Sequence, residues 1–154
     1  MSAKILIVDD ERAVRRALSI HLTKAGYSIF TATHVNDALE VLSHNHIDLV
    51  ISDIRMPGET GLSLLKSVQG SYPNTVVIMM TGQGSIPDAI NAIRNGAAEF
   101  LLKPIDREAL LTYVKKSLES QMLKSELNLL RKTVQNQYSL DQIVGQSPAM
   151  VQVF

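Results

Sequence analysis

The chain has 154 residues, 45% hydrophobic and 19% charged, which suits one domain with a real core plus an appendage. Lys+Arg 15 against Asp+Glu 15 leaves no net basic charge, so bulk electrostatics do not advertise nucleic-acid binding. Cys is absent, which excludes disulfides, thiolate metal sites and cysteine nucleophiles, and no apolar run approaches the roughly 20 residues that cross a bilayer.

Met1-Ser2-Ala3-Lys4 leads straight into a strand-like run and does not resemble a signal peptide, so a soluble cytoplasmic protein is expected. Ile5-Leu6-Ile7-Val8 is a continuous apolar run closed by Asp9-Asp10-Glu11, as in a buried parallel strand. The acidic trio suits the first turn of a following helix, where negative charge meets the positive dipole end. That helix carries Val14, Leu18 and Leu22 at helical spacing and stops at Gly26. Tyr27 to Ala32 alternates as a second strand, and Asn36 to His44 is a helix with Ala38, Leu39, Val41 and Leu42. Leu49-Val50-Ile51 is a third strand ending at Ser52-Asp53, before Pro57-Gly58 breaks the chain. Gly61 to Val68 predicts a helix, Thr75 to Met80 a buried strand, and Pro87 the first turn of a helix facing inward through Ala89, Ile90 and Ile93. Glu99 to Leu102 is a short last strand closed by Lys103-Pro104.

Strict alternation with short links predicts an α/β fold, a doubly wound, flavodoxin-like five-stranded parallel sheet of order 2-1-3-4-5. An extended C-terminal linker helix follows. From Asp106, read as the N-cap, to about Gln137 there is no Pro or Gly. One stripe, Leu111, Val114, Leu118 and Met122, suits the sheet. A second, Leu123, Leu127, Leu130 and Val134, is rotated from it and predicts a two-stranded coiled coil, hence a homodimer. A polar break is expected after Tyr138-Ser139, and Ser147-Pro148 reads as the cap of a further helix, the opening of another domain. The expected division is therefore 1–120, a linker over 121–138, and the start of a next domain over 139–154.

Open α/β sheets build their sites at the carboxyl ends of their strands. In the 2-1-3-4-5 order those ends bring together Asp9, Asp10, Asp53, Thr81 and Lys103. Asp53 alone is no more telling than any turn residue, and Asp10 with Lys103 alone is an ordinary ion pair. Three neighbouring carboxylates, however, repel unless a cation sits among them. An all-oxygen donor set points to a hard cation, with Mg²⁺ favoured. Thr81 adds a hydroxyl and Lys103 a positive charge, the partners of a phosphoryl group. A carboxylate nucleophile beside a metal gives an aspartyl-phosphate.

Ile5-Leu6-Ile7-Val8-Asp9-Asp10-Glu11, Asp53-Ile54-Arg55-Met56-Pro57-Gly58, Met80-Thr81-Gly82 and Phe100-Leu101-Leu102-Lys103-Pro104 resemble the signature blocks of a response-regulator receiver domain. The resemblance covers about residues 3–120 and implies Asp53 as phosphoacceptor and a histidine kinase as phosphodonor. It implies Mg²⁺ bound by Asp10, Asp53 and the Arg55 carbonyl, with Asp9 acting through water. It makes Thr81 a hydrogen-bond donor to the phosphoryl group, Lys103 its ionic partner, and Lys103-Pro104 a cis peptide. Phe100 stands at the family's aromatic switch position without a tyrosine hydroxyl, so switching there works by packing.

Ile143-Val144-Gly145-Gln146-Ser147-Pro148-Ala149-Met150 is similar to the junction into the AAA+ domain of NtrC-type sigma-54-dependent activators. No G-x-x-x-x-G-K loop and no helix-turn-helix occur in the chain, so DNA and sigma-54 RNA polymerase would be met only through other domains. The expected activity is confined to self-phosphorylation and dephosphorylation. Two other readings stay open. A haloacid-dehalogenase-like phosphatase normally needs a second Asp where Arg55 stands; a phosphorylation-independent scaffold would leave all five pocket groups without purpose.

Overall fold

The computed structural model describes residues 2–56, 60–82 and 86–145, the side chains at 125, 128, 129 and 131–145 excepted. Its elements alternate: β1 Lys4–Val8, α1 Arg12–Lys24, β2 Ser28–Ala32, α2 Val35–His44, β3 Leu49–Asp53, α3 Gly61–Ser71, β4 Val76–Thr81, α4 Ile86–Arg94, β5 Glu99–Leu102 and α5 Arg107–Gly145. The five strands are parallel in the order β2-β1-β3-β4-β5, as the alternation requires. The expectation of buried central strands holds, since β1, β3 and β4 are apolar on both faces. Two compact units are present, split between Gln121 and Met122.

Successive side chains on a strand point to opposite faces, and the two faces here have separate cores. Ile5, Ile7, Leu49, Ile51, Ile78, Met80 and Leu101 pack with Leu18 and Leu22 of α1 and Leu110 and Val114 of α5. Leu6, Val8, Val50, Val77 and Met79 pack with α2, α3 and α4 on the other side. Register is level across the sheet: Val8 pairs with Ser52, Ser52 with Met79, and Met79 with Phe100. The carboxyl ends of the four neighbouring strands therefore finish at one edge.

Several helices differ from the pattern read in the sequence. The acidic trio precedes α1 instead of filling its first turn, because Asp9 Oδ1 accepts from the Glu11 backbone N–H at 2.8 Å and holds Glu11 extended. On α4 the inward residues are Ala89 and Ala92, while Ile86, Ile90 and Ile93 are 40%, 47% and 38% exposed. Small alanines let the helix approach β4 closely, and the isoleucines follow a neighbouring row, about 100° round the helix. Burying a methyl group contributes about 0.8 kcal/mol, against about 1.5–3 kcal/mol for each large side chain such as Leu64, Leu65 and Val68 on α3. Hydrophobic burial therefore anchors α4 weakly.

On α5 the buried row is Leu110, Val114 and Ser117, with Leu111 and Leu118 at its flank and Met122 64% exposed. Asp106 accepts from the Ala109 N–H at 3.0 Å and starts the helix. The helix runs through Tyr138-Ser139, where a break was expected; with no Pro or Gly before Gly145, no residue there forbids helix. Within the second unit Leu123, Leu127 and Leu130 are exposed. Val134 falls among the undescribed side chains, and the Ser147-Pro148 cap lies outside the described residues. Among the described residues no helix is long and apolar enough to cross a membrane.

Candidate functional site

Strand alternation decides which groups meet. Asp9 continues the Ile5-Ile7 row, Asp53 the Leu49-Ile51 row, and Lys103 the row of Leu101. All three stand on one face, one step beyond the apolar stripe, where the core ends and polar groups can begin. Lys103 Nζ donates to Asp9 Oδ2 and to Asp53 Oδ2, each at 2.9 Å. Asp10, Asp9 and Asp53 each bring one carboxylate oxygen within 4.8 Å of the others. The ammonium thus bridges Asp9 and Asp53, and Asp10 is the exposed carboxylate at the rim.

The second oxygens are committed to backbone. Asp9 is fully buried, with Oδ1 held by Glu11, and its carbonyl accepts from Arg15 Nη1 at 2.8 Å. Asp53 Oδ1 accepts from the Arg55 N–H at 3.2 Å. The turn after β3 is held by Gly61, whose N–H donates to the Ile54 carbonyl at 2.7 Å. A Cβ on Gly61 would strike the Asp53 carbonyl oxygen and come within 2.7 Å of Met79 Cε. Glycine is required there for space. Thr60, just before it, caps α3 by accepting from the Ser63 N–H at 3.4 Å.

Electrostatics follow from this packing. Burial pushes the Asp53 carboxyl above the usual carboxylate range, with the Asp9 charge adding to the rise and Lys103 and the Arg55 N–H pulling the other way. Burial works to lower Lys103, but its hydrogen bonds to Asp9 and Asp53 and their charges outweigh it, and the ammonium is held above its ordinary value. Three carboxylates face one ammonium, so the cluster retains negative charge. Its donors are oxygens within reach of one another, a set that a hard divalent cation fits.

Thr81 and Phe100 stand on the other face of the sheet. Thr81 is 1% exposed and its Oγ1 donates to the Gly82 carbonyl at 3.1 Å. Phe100, partly buried, pairs with Met79, which makes it a diagonal neighbour of Thr81. The Lys103–Pro104 peptide is cis. Two contacts had no sequence signal. Arg15 of α1 reaches the Asp9 carbonyl, and Arg55 Nη2 is 2.8 Å from Asp88 Oδ2 on α4.

A level, parallel, doubly wound sheet with an acidic cluster and one ammonium at its carboxyl edge defines a regulatory α/β domain of the receiver type. The chain belongs to the response regulator receiver domain family, whose model matches residues 5–115. It is 40% identical over 126 residues to the response regulator protein FleR of Pseudomonas aeruginosa, covering 82% of this chain and 27% of that one. It is 36% identical over 148 residues to the DNA-binding transcriptional regulator NtrC of Klebsiella pneumoniae, covering 96% and 31%. Among solved structures, NtrX from Brucella abortus superposes with a TM-score of 0.82 at 35% identity, over 99% of this chain and 33% of that one. The chain thus spans about a third of the length of the curated relatives it matches.

Proposed function

We propose that Asp53 is the phosphoacceptor of a two-component switch in an NtrC-type, sigma-54-dependent activator, with a histidine kinase as donor. The observation that carries this is the Lys103 bridge: one ammonium held at 2.9 Å from both Asp9 and Asp53, beside the exposed carboxylate of Asp10. An Asp53 oxygen attacks phosphorus, a new O–P bond forms, and the bond from phosphorus to the donor's leaving group breaks. Lys103 neutralises the incoming charge and orients the nucleophile. Asp10, Asp53 and the Arg55 carbonyl would hold Mg²⁺, with Asp9 beside them as a further acidic group. When bound, the metal supplies charge neutralisation at the transferring phosphoryl group.

Thr81 then exchanges its Gly82 partner for a phosphoryl oxygen, and Phe100, its diagonal neighbour, repacks in the space left. That change alters the surface of α4, β5 and α5, where Ile86, Ile90, Ile93 and Leu102 are exposed. The exposed Leu123, Leu127 and Leu130 form the seam of a homodimer, whose arrangement governs an ATPase domain elsewhere in the parent protein. The domain works in the cytoplasm and catalyses nothing beyond its own phosphorylation and dephosphorylation. Incubation with acetyl phosphate and Mg²⁺, read by intact mass, tests this: one phosphoryl adduct that vanishes in Asp53→Asn is expected. No adduct overturns the reading in favour of a scaffold, and sustained phosphate release with rapid turnover overturns it in favour of a phosphatase.

A further inference from the structure

Arg55 is joined at once to its near neighbour Asp53 and to a distant helix. Its backbone N–H holds Asp53 Oδ1 at 3.2 Å, and its guanidinium holds Asp88 Oδ2 at 2.8 Å across 33 residues of sequence. Asp88 lies in the first turn of α4. That helix buries only Ala89 and Ala92 and turns Ile86, Ile90 and Ile93 outward. An ion pair at its first turn therefore adds a polar tether where hydrophobic anchoring is weak. The Arg55 side chain is 70% exposed, so redirecting it costs little desolvation.

We propose that the Arg55–Asp88 pair is a latch: it holds the first turn of α4 while Asp53 is unmodified, and phosphorylation releases it. The latch rests on the phosphoacceptor reading given above. A phosphoryl group carries about −1.5 to −2 charge and three acceptor oxygens, against the single carboxylate charge of Asp88. Guanidinium binds such groups through two parallel N–H bonds and stays charged throughout, so the exchange moves no proton. Arg55 turns from Asp88 to phospho-Asp53, no covalent bond changes in the exchange, and the amino end of α4 loses its tether. The outward isoleucine row then moves with the state of Asp53.

Asp88 also sits near the positive end of the α4 dipole, where a carboxylate is favourable whatever Arg55 does. The test must separate the two effects. Hydrogen exchange of the α4 amides is measured in the 154-residue chain for the parent, Asp88→Asn and Asp88→Glu, with and without excess acetyl phosphate and Mg²⁺; intact mass reports the adduct. Without phosphodonor, Asp88→Asn exchanges about twofold to fivefold faster than the parent, the range of an exposed ion pair, and Asp88→Glu restores the parent rate. With the adduct present, the ratio of Asp88→Asn to parent falls towards one. A ratio that persists or grows overturns the latch and leaves Asp88 as a helix-terminus charge. Equal rates in the unmodified proteins overturn it too. Absence of the Asp53 adduct overturns the phosphoacceptor reading and the latch together.

Discussion

Replacing Lys103 with Met keeps an unbranched stem and removes the ammonium that bridges Asp9 and Asp53. Asp9 is fully buried and the Asp53 side chain is 11% exposed, so both carboxylates lose their counter-charge in a place where water cannot replace it. Removing one partner of a buried pair costs about 3–5 kcal/mol. Lys103 is itself 22% exposed, which puts the expected loss at the lower end, about 3 kcal/mol. For a unit of this size that corresponds to a fall in Tm of about 10 °C. The dependence on pH has a definite sign. Asp53 has a raised folded pKa, so its ionisation costs stability as pH rises from the unfolded carboxylate value through the folded one. Without the ammonium that window extends upward, so the deficit of Lys103→Met widens from about pH 4 towards neutrality. The raised pKa of Lys103 places its own contribution fully below the unfolded lysine value, with loss only as pH climbs through the folded one, above about pH 10. Urea unfolding at pH 5 and pH 8, with and without Mg²⁺, measures all of this, and the metal should stabilise the variant more than the parent. A loss below about 1 kcal/mol at pH 8, the size of an exposed pair, refutes the reasoning.

Asp53→Asn removes a buried charge, so thermal unfolding should show it more stable than the parent at pH 8 and no more stable at pH 4; a uniform loss at both would contradict the burial penalty. Gly61→Ala should cost about 1–3 kcal/mol by denaturant titration and slow adduct formation from acetyl phosphate, because Met79 Cε can shift but the Asp53 carbonyl cannot. The double variant Leu123→Lys with Leu127→Lys should abolish self-association by light scattering and leave the unfolding of the first unit unchanged; a parent protein that is monomeric at every concentration removes the basis for this.

Much of the fold is legible because the strong signals are local. Ile5-Leu6-Ile7-Val8 and Val76 to Met80 cannot be solvated strands, and apolar runs alternating with helices leave one sensible topology. The convergence of Asp9, Asp53 and Lys103 follows from that topology plus the two-residue repeat of a strand. Helix phase is harder to read. On α4 the isoleucines look like a core face, yet alanines fill it, because close approach to β4 favours small side chains over apolar ones. On α5 the burial of Ser117 in the row of Leu110 and Val114 leaves no hydrophobic mark. Arg15 on the Asp9 carbonyl and Arg55 on Asp88 were invisible for another reason: each is a contact of a long, adaptable side chain whose partner depends on where the backbone turns.

The single-face alignment of Asp9, Asp53 and Lys103 ties the chemistry to the integrity of the sheet. A slip of one residue in β3 would carry Asp53 to the α2–α4 side, and the same slip would turn Leu49 and Ile51 out of their core. Losing the position of Asp53 by that route therefore means losing the fold as well. Point substitution is the cheap way to silence this domain, and insertion or deletion within β3 is an expensive one. The position of Asp53 inherits the tolerance of a core residue, although its carboxylate contributes no apolar surface to that core.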